Sequence, residues 1–164
     1  MDYSEGLLYL IRFLTKGEMQ TIIKLNETFT GPKKKEELWW MLPIDAGYNQ
    51  KHDIWTKFFQ GCTRNFDKIV FRQENSEKYT SNYYDEKTGY FELSGDMNAS
   101  NQPQSDESYL NTPNEKEAMF LHKINDKGEN EYKFIGIFEK RAYIKSMNKY
   151  IFVRVDTDLV CEMN

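Results

Sequence analysis

The stretch Glu117-Ala-Met-Phe-Leu-His-Lys-Ile124, Asn125-Asp-Lys-Gly-Glu-Asn130, Glu131-Tyr-Lys-Phe-Ile-Gly-Ile-Phe-Glu139 and, after a polar break, Lys149-Tyr-Ile-Phe-Val-Arg-Val155 decides how this chain folds. Aromatic and β-branched residues dominate three runs, and Asp126-Lys127-Gly128 supplies turn chemistry between the first two. Segments 117–124 and 131–139 are therefore expected to pair antiparallel, with 149–156 as a further strand. In the second run, alternation assigns Tyr132, Phe134, Gly136 and Phe138 to one face and Lys133, Ile135, Ile137 and Glu139 to the other. In the third, Ile151, Val153 and Val155 oppose Tyr150, Phe152 and Arg154. Neither face is cleanly polar, and a strand apolar on both sides is usually covered on both sides. Gly136, in mid-strand, marks a bulge, a sharp bend or the close approach of another backbone. Small barrels close through such bends.

The chain has 164 residues, enough for one domain or for one domain with a small helical appendage. Its aromatic fraction of 15% supplies a core without disulfides or metal, because aromatic rings bury much area each. A formal net charge of −4 argues against a generally basic nucleic-acid coat but leaves room for a local basic groove. Cys62 and Cys161 form neither a C-x-x-C motif nor a zinc spacing, which predicts two reduced thiols in a cytoplasmic protein. No basic segment precedes an apolar run at the start, so no signal peptide is expected. No apolar stretch approaches the roughly 20 residues that span a bilayer, so no membrane partner is expected.

Outside the deciding stretch, 66–73 and 89–94 also read as strands. The N-terminal part reads as helical. Ser4 can cap a helix over 4–14 that carries Leu7, Leu8, Ile11 and Leu14 at helical spacing. Thr15 and Glu18 fit a capping box that opens a second helix with Met19, Ile22 and Ile23. Two such helices in tandem resemble a helix-turn-helix; a small packing subdomain is the plainer alternative. Asp53 is placed to cap a short helix with Ile54, Trp55, Phe58 and Phe59 that ends at Gly61. Lys33, Lys34 and Lys35 either touch phosphate or form a solvated helix start offset by Glu36 and Glu37. The polar run from 95 to 115 is longer than loops in compact domains usually are. The expected fold class is α+β: a helical part over 1–62 and a twisted, mostly antiparallel sheet over 63–164, as two parts or one compact domain.

His52 and His122 have no partners at metal-ligand spacing, and no nucleophile elbow, P-loop or dinucleotide fingerprint occurs. No catalytic residue, metal or cofactor is assigned. An acid-x-lysine pattern at Glu131-Tyr132-Lys133, with Asp126 before it, and again at Asp85-Glu86-Lys87, allows a metal-dependent nuclease. A second pattern is aromatic: Tyr83, Tyr84, Tyr90 and Phe91 stand with Asp85, Glu92, Ser94 and Asp96. Flipped bases are held by stacking on aromatics and by hydrogen bonds to the base edge, so these residues are expected to form a concave pocket against Phe134 to Phe138. Ordinary strand aromatics beside a polar turn explain the same residues.

The run Asn82-Tyr-Tyr-Asp85, then Tyr90-Phe-Glu-Leu-Ser94, a polar loop with Gln104-Ser-Asp-Glu-Ser108, then Ala118-Met-Phe-Leu-His-Lys123 and Tyr132-Lys-Phe-Ile-Gly-Ile-Phe138 resembles the C-terminal domain of restriction- and defence-associated helicases. The layout is similar to the base-flipping SRA (YDG) domains and their PUA-like relatives, over about residues 66–155. The resemblance implies a small bent β-barrel that reads modified bases. It makes the expected function a non-catalytic nucleic-acid-binding specificity module of a bacterial defence or restriction system, with DNA as partner. Expected DNA-binding residues are Tyr83, Tyr84, Asp85, Tyr90, Phe91, Asp96, Lys33, Lys34 and Lys35. The alternative is a phage or mobile-element inhibitor that binds a defence-system protein; a metal-dependent nuclease is a second alternative.

Overall fold

The computed structural model describes residues 20–30, 48–49, 54–55, 62–73, 82–94 and 115–163. Twelve strands occur among them: β1 (Gln20–Lys24), β2 (Thr28–Thr30), β3 (Tyr48–Asn49), β4 (Ile54–Trp55), β5 (Cys62–Arg64), β6 (Lys68–Arg72), β7 (Tyr83–Asp85), β8 (Tyr90–Ser94), β9 (Lys116–Ile124), β10 (Asn130–Ile144), β11 (Lys149–Asp156) and β12 (Asp158–Met163). The main sheet runs β3-β4-β6-β9-β10-β11-β8-β7, with β2 also on β10; a smaller sheet runs β1-β12-β5. The β6–β9 pair is parallel, and the other pairs are antiparallel.

Every regular element among the described residues is a strand, so the fold is all-β and not the expected α+β with a helical N-terminal part. The helix expected over 4–14 lies outside the described residues. The helix expected through Met19, Ile22 and Ile23 is overturned at 20–24, which is β1 and pairs residue for residue with β12 from Gln20↔Glu162 to Lys24↔Asp158. The consecutive β-branched Thr21-Ile22-Ile23 explains this, since such side chains lose rotamer freedom in a helix and fit a pleated surface. Burial there has period two: Ile23 is fully buried and Ile22 is 45% exposed. The helix expected after Asp53 is a strand at Ile54–Trp55, sandwiched between β3 and β6. Long-range pairing overrides a local capping pattern in both places.

The five strands expected from alternation are present. The 117–124 and 131–139 pair is antiparallel, with Ile124↔Asn130 next to the turn and Lys116↔Glu139 at the far end. Asn125 shapes that turn, its Oδ1 accepting the N–H groups of Lys127 (3.0 Å) and Glu129 (3.0 Å). The face assignment in β10 needs correction. The register slips between Phe134 and Gly136, and Gly136 has φ +124. This bulge reverses the alternation beyond it. Tyr132, Phe134 and Ile137 face one core, whereas Ile135 and Phe138 face the other.

Those two cores cover the main sheet on both sides, as its apolar strands require. The first contains Phe71, Phe120, Tyr132, Phe134 and Ile137 and is closed by Ile23 of β1 and by Leu159 and Cys161 of β12. It is therefore sealed by the smaller sheet. The second gathers Val70, Met119, Ile135, Phe138, Phe91, Tyr143, Tyr150 and Phe152. Val70 and Phe91 sit on strands separated by three others in the sheet order, yet share this core, so the sheet curls on itself. The Arg72 guanidinium also crosses the concavity, 5.8 Å from the centre of the Phe152 ring. Its Nη2 donates to Glu117 Oε1 at 2.9 Å, which neutralises a carboxylate whose side chain is only 2% exposed.

Candidate nucleic-acid interface

The β7–β8 hairpin carries the aromatic residues singled out in the sequence. Its turn is built by Asp85, whose Oδ1 accepts the N–H of Lys87 (3.0 Å) and of Thr88 (3.4 Å). Gly89 closes the turn with φ +67, and its N–H donates to the Asp85 carbonyl at 2.9 Å. The pairing is Tyr83↔Glu92, Tyr84↔Phe91 and Asp85↔Tyr90. Residues directly opposite share a face, so the pleat divides the set in two.

Tyr84 and Phe91 turn inward. Phe91 is fully buried, and the rings of Tyr84, Phe91 and Phe138 meet with centroids 6.3, 6.5 and 6.4 Å apart. Phe134 belongs to the opposite core. The space expected to be a pocket is thus filled by the protein's own rings. Tyr83, Asp85 and Tyr90 share the outer face. Tyr83 is 50% exposed, and the Tyr90 hydroxyl donates to Glu92 Oε1 at 2.9 Å. Lys149 of the adjacent β11 donates to Glu92 Oε2 at 3.2 Å. Partial burial, and then the bond to Glu92, push the Tyr90 phenol up from its usual range, which keeps it protonated. The outer surface therefore presents two tyrosines with a carboxylate and an ammonium beside them. Asp96, Lys33, Lys34 and Lys35 lie outside the described residues.

Arg154 was missed in the sequence. Its Nη1 donates to the Tyr84 hydroxyl (2.9 Å) and to the Ile135 carbonyl (3.4 Å), and its Nη2 donates to the Glu86 carbonyl (3.2 Å). Its backbone N–H donates to the Gly89 carbonyl at 2.7 Å. The side chain passes between two glycines: a Cβ on Gly89 would lie 2.8 Å from Arg154 Cβ, and one on Gly136 would overlap Arg154 Cδ. Asn26 reaches the same turn from the β1–β2 connection, its Nδ2 donating to Glu86 Oε1 at 3.3 Å. At the other end of the hairpin, the buried Asn82 accepts the Ser94 N–H at 2.8 Å and donates to the Gln73 carbonyl. A signal for Arg154 did exist. Alternation puts it on the face of Tyr150 and Phe152, and a cation on a core-facing position needs a built partner.

A cavity of about 350 Å³ opens at the start of β10, lined by Leu121, His122, Lys123, Glu131 and Lys133. Leu121 is opposite Lys133 and Lys123 opposite Glu131, with Lys123 Nζ 3.2 Å from Glu131 Oε2. The His122 ring stacks on Tyr132 at 4.8 Å and 15°. Its Nε2 lies 2.8 Å from Asn130 Oδ1 and its Nδ1 3.4 Å from Gln73 Nε2. Nε2–H donating to Asn130 and Nδ1 accepting from Gln73 satisfies both amides, so this histidine is held by structure. In the acid-x-lysine pattern, Glu131 is paired with Lys123 and Tyr132 is buried. Among the described residues no three His, Cys, Asp or Glu side chains stand together as metal ligands.

No protein-family model matches the sequence, and no curated protein does. Among solved structures, the chain is similar over 99% of its residues to the 5-hydroxymethylcytosine-specific restriction enzyme AbaSI, with TM-score 0.56 and 14% identity. It spans about half, 49%, of that chain. A second similar structure is the DNA recognition domain of the cytosine modification-dependent restriction endonuclease LpnPI, with TM-score 0.48 and 9% identity, covering 90% of this chain and 76% of that one. At such identities the likeness is one of fold.

Proposed function

We propose that the chain is a DNA-binding specificity module of a modification-dependent restriction system, without chemistry of its own, and that it discriminates modified from unmodified cytosine. The observation that carries this reading is the outer surface of the β7–β8 hairpin. Tyr83 stands half exposed beside Tyr90, with Lys149 and Glu92 at its margin, on a turn held by Arg154 and Asn26. Aromatic faces next to a cation suit a base and its phosphate, and a carboxylate suits an exocyclic amine. The fold likeness to a restriction enzyme with modified-cytosine specificity supports the same reading, and a chain spanning half of that enzyme fits one module of such a system.

The test is a titration against duplexes containing cytosine, methylated cytosine or hydroxymethylated cytosine, at two salt concentrations. A modified duplex should bind tighter than the plain one. Stacking contributes roughly 1–3 kcal/mol per base, so Tyr83→Ala should weaken binding about tenfold. Equal affinity of the wild type and the Tyr83 variant for every duplex would sink the reading and favour a protein partner.

A further inference from the structure

We infer that the β10–β11 hairpin is a second DNA-contacting element and that Met147, at its apex, is a wedge that inserts between neighbouring base pairs. The inference rests on the DNA-binding reading above and adds the mode of contact.

Met147 is 54% exposed at the apex of a turn that is tightly braced. Its N–H donates to the Ile144 carbonyl and that of Asn148 to the Lys145 carbonyl, both at 3.2 Å. Asn148 is only 7% exposed and has φ +49, a left-handed conformation that asparagine tolerates. Its Oδ1 accepts the Tyr143 hydroxyl at 2.8 Å. Beneath it Tyr143 and Tyr150 stack with centroids 4.5 Å apart and planes 25° from parallel. Met147 is thus presented to solvent at the end of a two-stranded ribbon braced by its own residues.

The charge around the apex agrees with a duplex partner. From Arg141 to Lys149 the chain carries Arg141, Lys145 and Lys149 and no acid, in a protein whose formal net charge is −4; Arg141 is paired with Glu139 at 3.0 Å and Lys149 with Glu92 at 3.2 Å. Lys149, two residues past the apex, is bonded to the same Glu92 that receives the Tyr90 hydroxyl, so apex and tyrosine surface adjoin. Two-stranded ribbons enter either groove of a duplex. Methionine is among the apolar side chains that minor-groove binders push between base steps, and its polarizable thioether makes favourable contacts with rings. Lys145, in the turn itself, would meet a phosphate beside the inserted side chain.

The experiment uses duplexes carrying, at successive positions, a fluorescent adenine analogue that brightens when unstacked. Binding of the wild type should brighten the analogue at one step and not at distant ones. Met147→Ser should abolish the brightening and leave the salt dependence of binding unchanged, whereas Met147→Leu should keep it. Lys145→Ala should retain the brightening and lower the salt slope by about 1. Binding without brightening at any position, or brightening that survives Met147→Ser, overturns the wedge and leaves the specificity reading standing. Failure to bind any duplex overturns both. A Met147→Ser variant that behaves as wild type on DNA but loses a complex with another protein assigns the apex to a protein interface and also overturns the wedge.

Discussion

The β7–β8 and β10–β11 hairpins lie side by side but are held in different ways. Besides its own Asp85 and Gly89, the β7–β8 turn is held by residues distant in sequence: Arg154 from β11, Asn26 from the β1–β2 connection, and a glycine at 136 that leaves room for the arginine. The β10–β11 turn is braced by its own neighbours, with Tyr143, Asn148 and Tyr150 all within the hairpin. A turn pinned from far away is coupled to the whole fold. One braced from within keeps its shape when remote parts are disturbed.

The largest expected effect comes from Gly136→Ala. A side chain there must adopt φ +124 and displace Arg154, so the expected loss of stability is about 3 kcal/mol or more. Urea unfolding measures the loss, and a variant as stable as wild type would break the argument that Gly136 makes room for Arg154. Next comes Arg154→Ala, which removes the donors to Tyr84, Ile135 and Glu86 and should cost about 2 kcal/mol. Hydrogen exchange should then speed up at the amides of Lys87 to Gly89 and remain slow at Met147 and Asn148. Uniform loosening of both turns would dissolve the contrast between them. The smallest is Tyr143→Phe, which deletes the hydroxyl bonded to Asn148 and should cost about 1 kcal/mol. Its exchange signature should be the mirror image, faster at 147–148 and unchanged at 87–89.

Alternation made the sheet legible in the sequence, because strands such as 117–124 and 149–156 carry their signal in consecutive residues. Gly136 was legible as a disturbance, and the bulge is there, but its consequence for facing was not: reversing the pleat depends on the φ of one residue. The short β1 strand was misread because its partner lies at Asp158–Met163, at the other end of the described chain, while the capping pattern at Thr15–Glu18 is local. At the candidate site the sequence singled out aromatic residues that the structure places on one hairpin. It could not separate Tyr83 and Tyr90, which face outward, from Tyr84 and Phe91, which face in, since that division needs the register with β8 and the curl of the sheet. Arg154 escaped because its partners come from β7, β10 and the intervening turn.

The pairing of β1 with β12 also bears on the order in which the chain assembles. The β9–β10 and β10–β11 hairpins close short loops and bring together rings that are neighbours along the chain. Joining Gln20 to Glu162 closes a loop of nearly the full described length, at an entropic cost that contacts must then repay. Loop-closure entropy thus favours forming the hairpins around β10 before the smaller sheet. Until it shuts, the face of Phe120, Phe134 and Ile137 lacks the cover of Ile23 and Leu159 and stays open to solvent and to other chains.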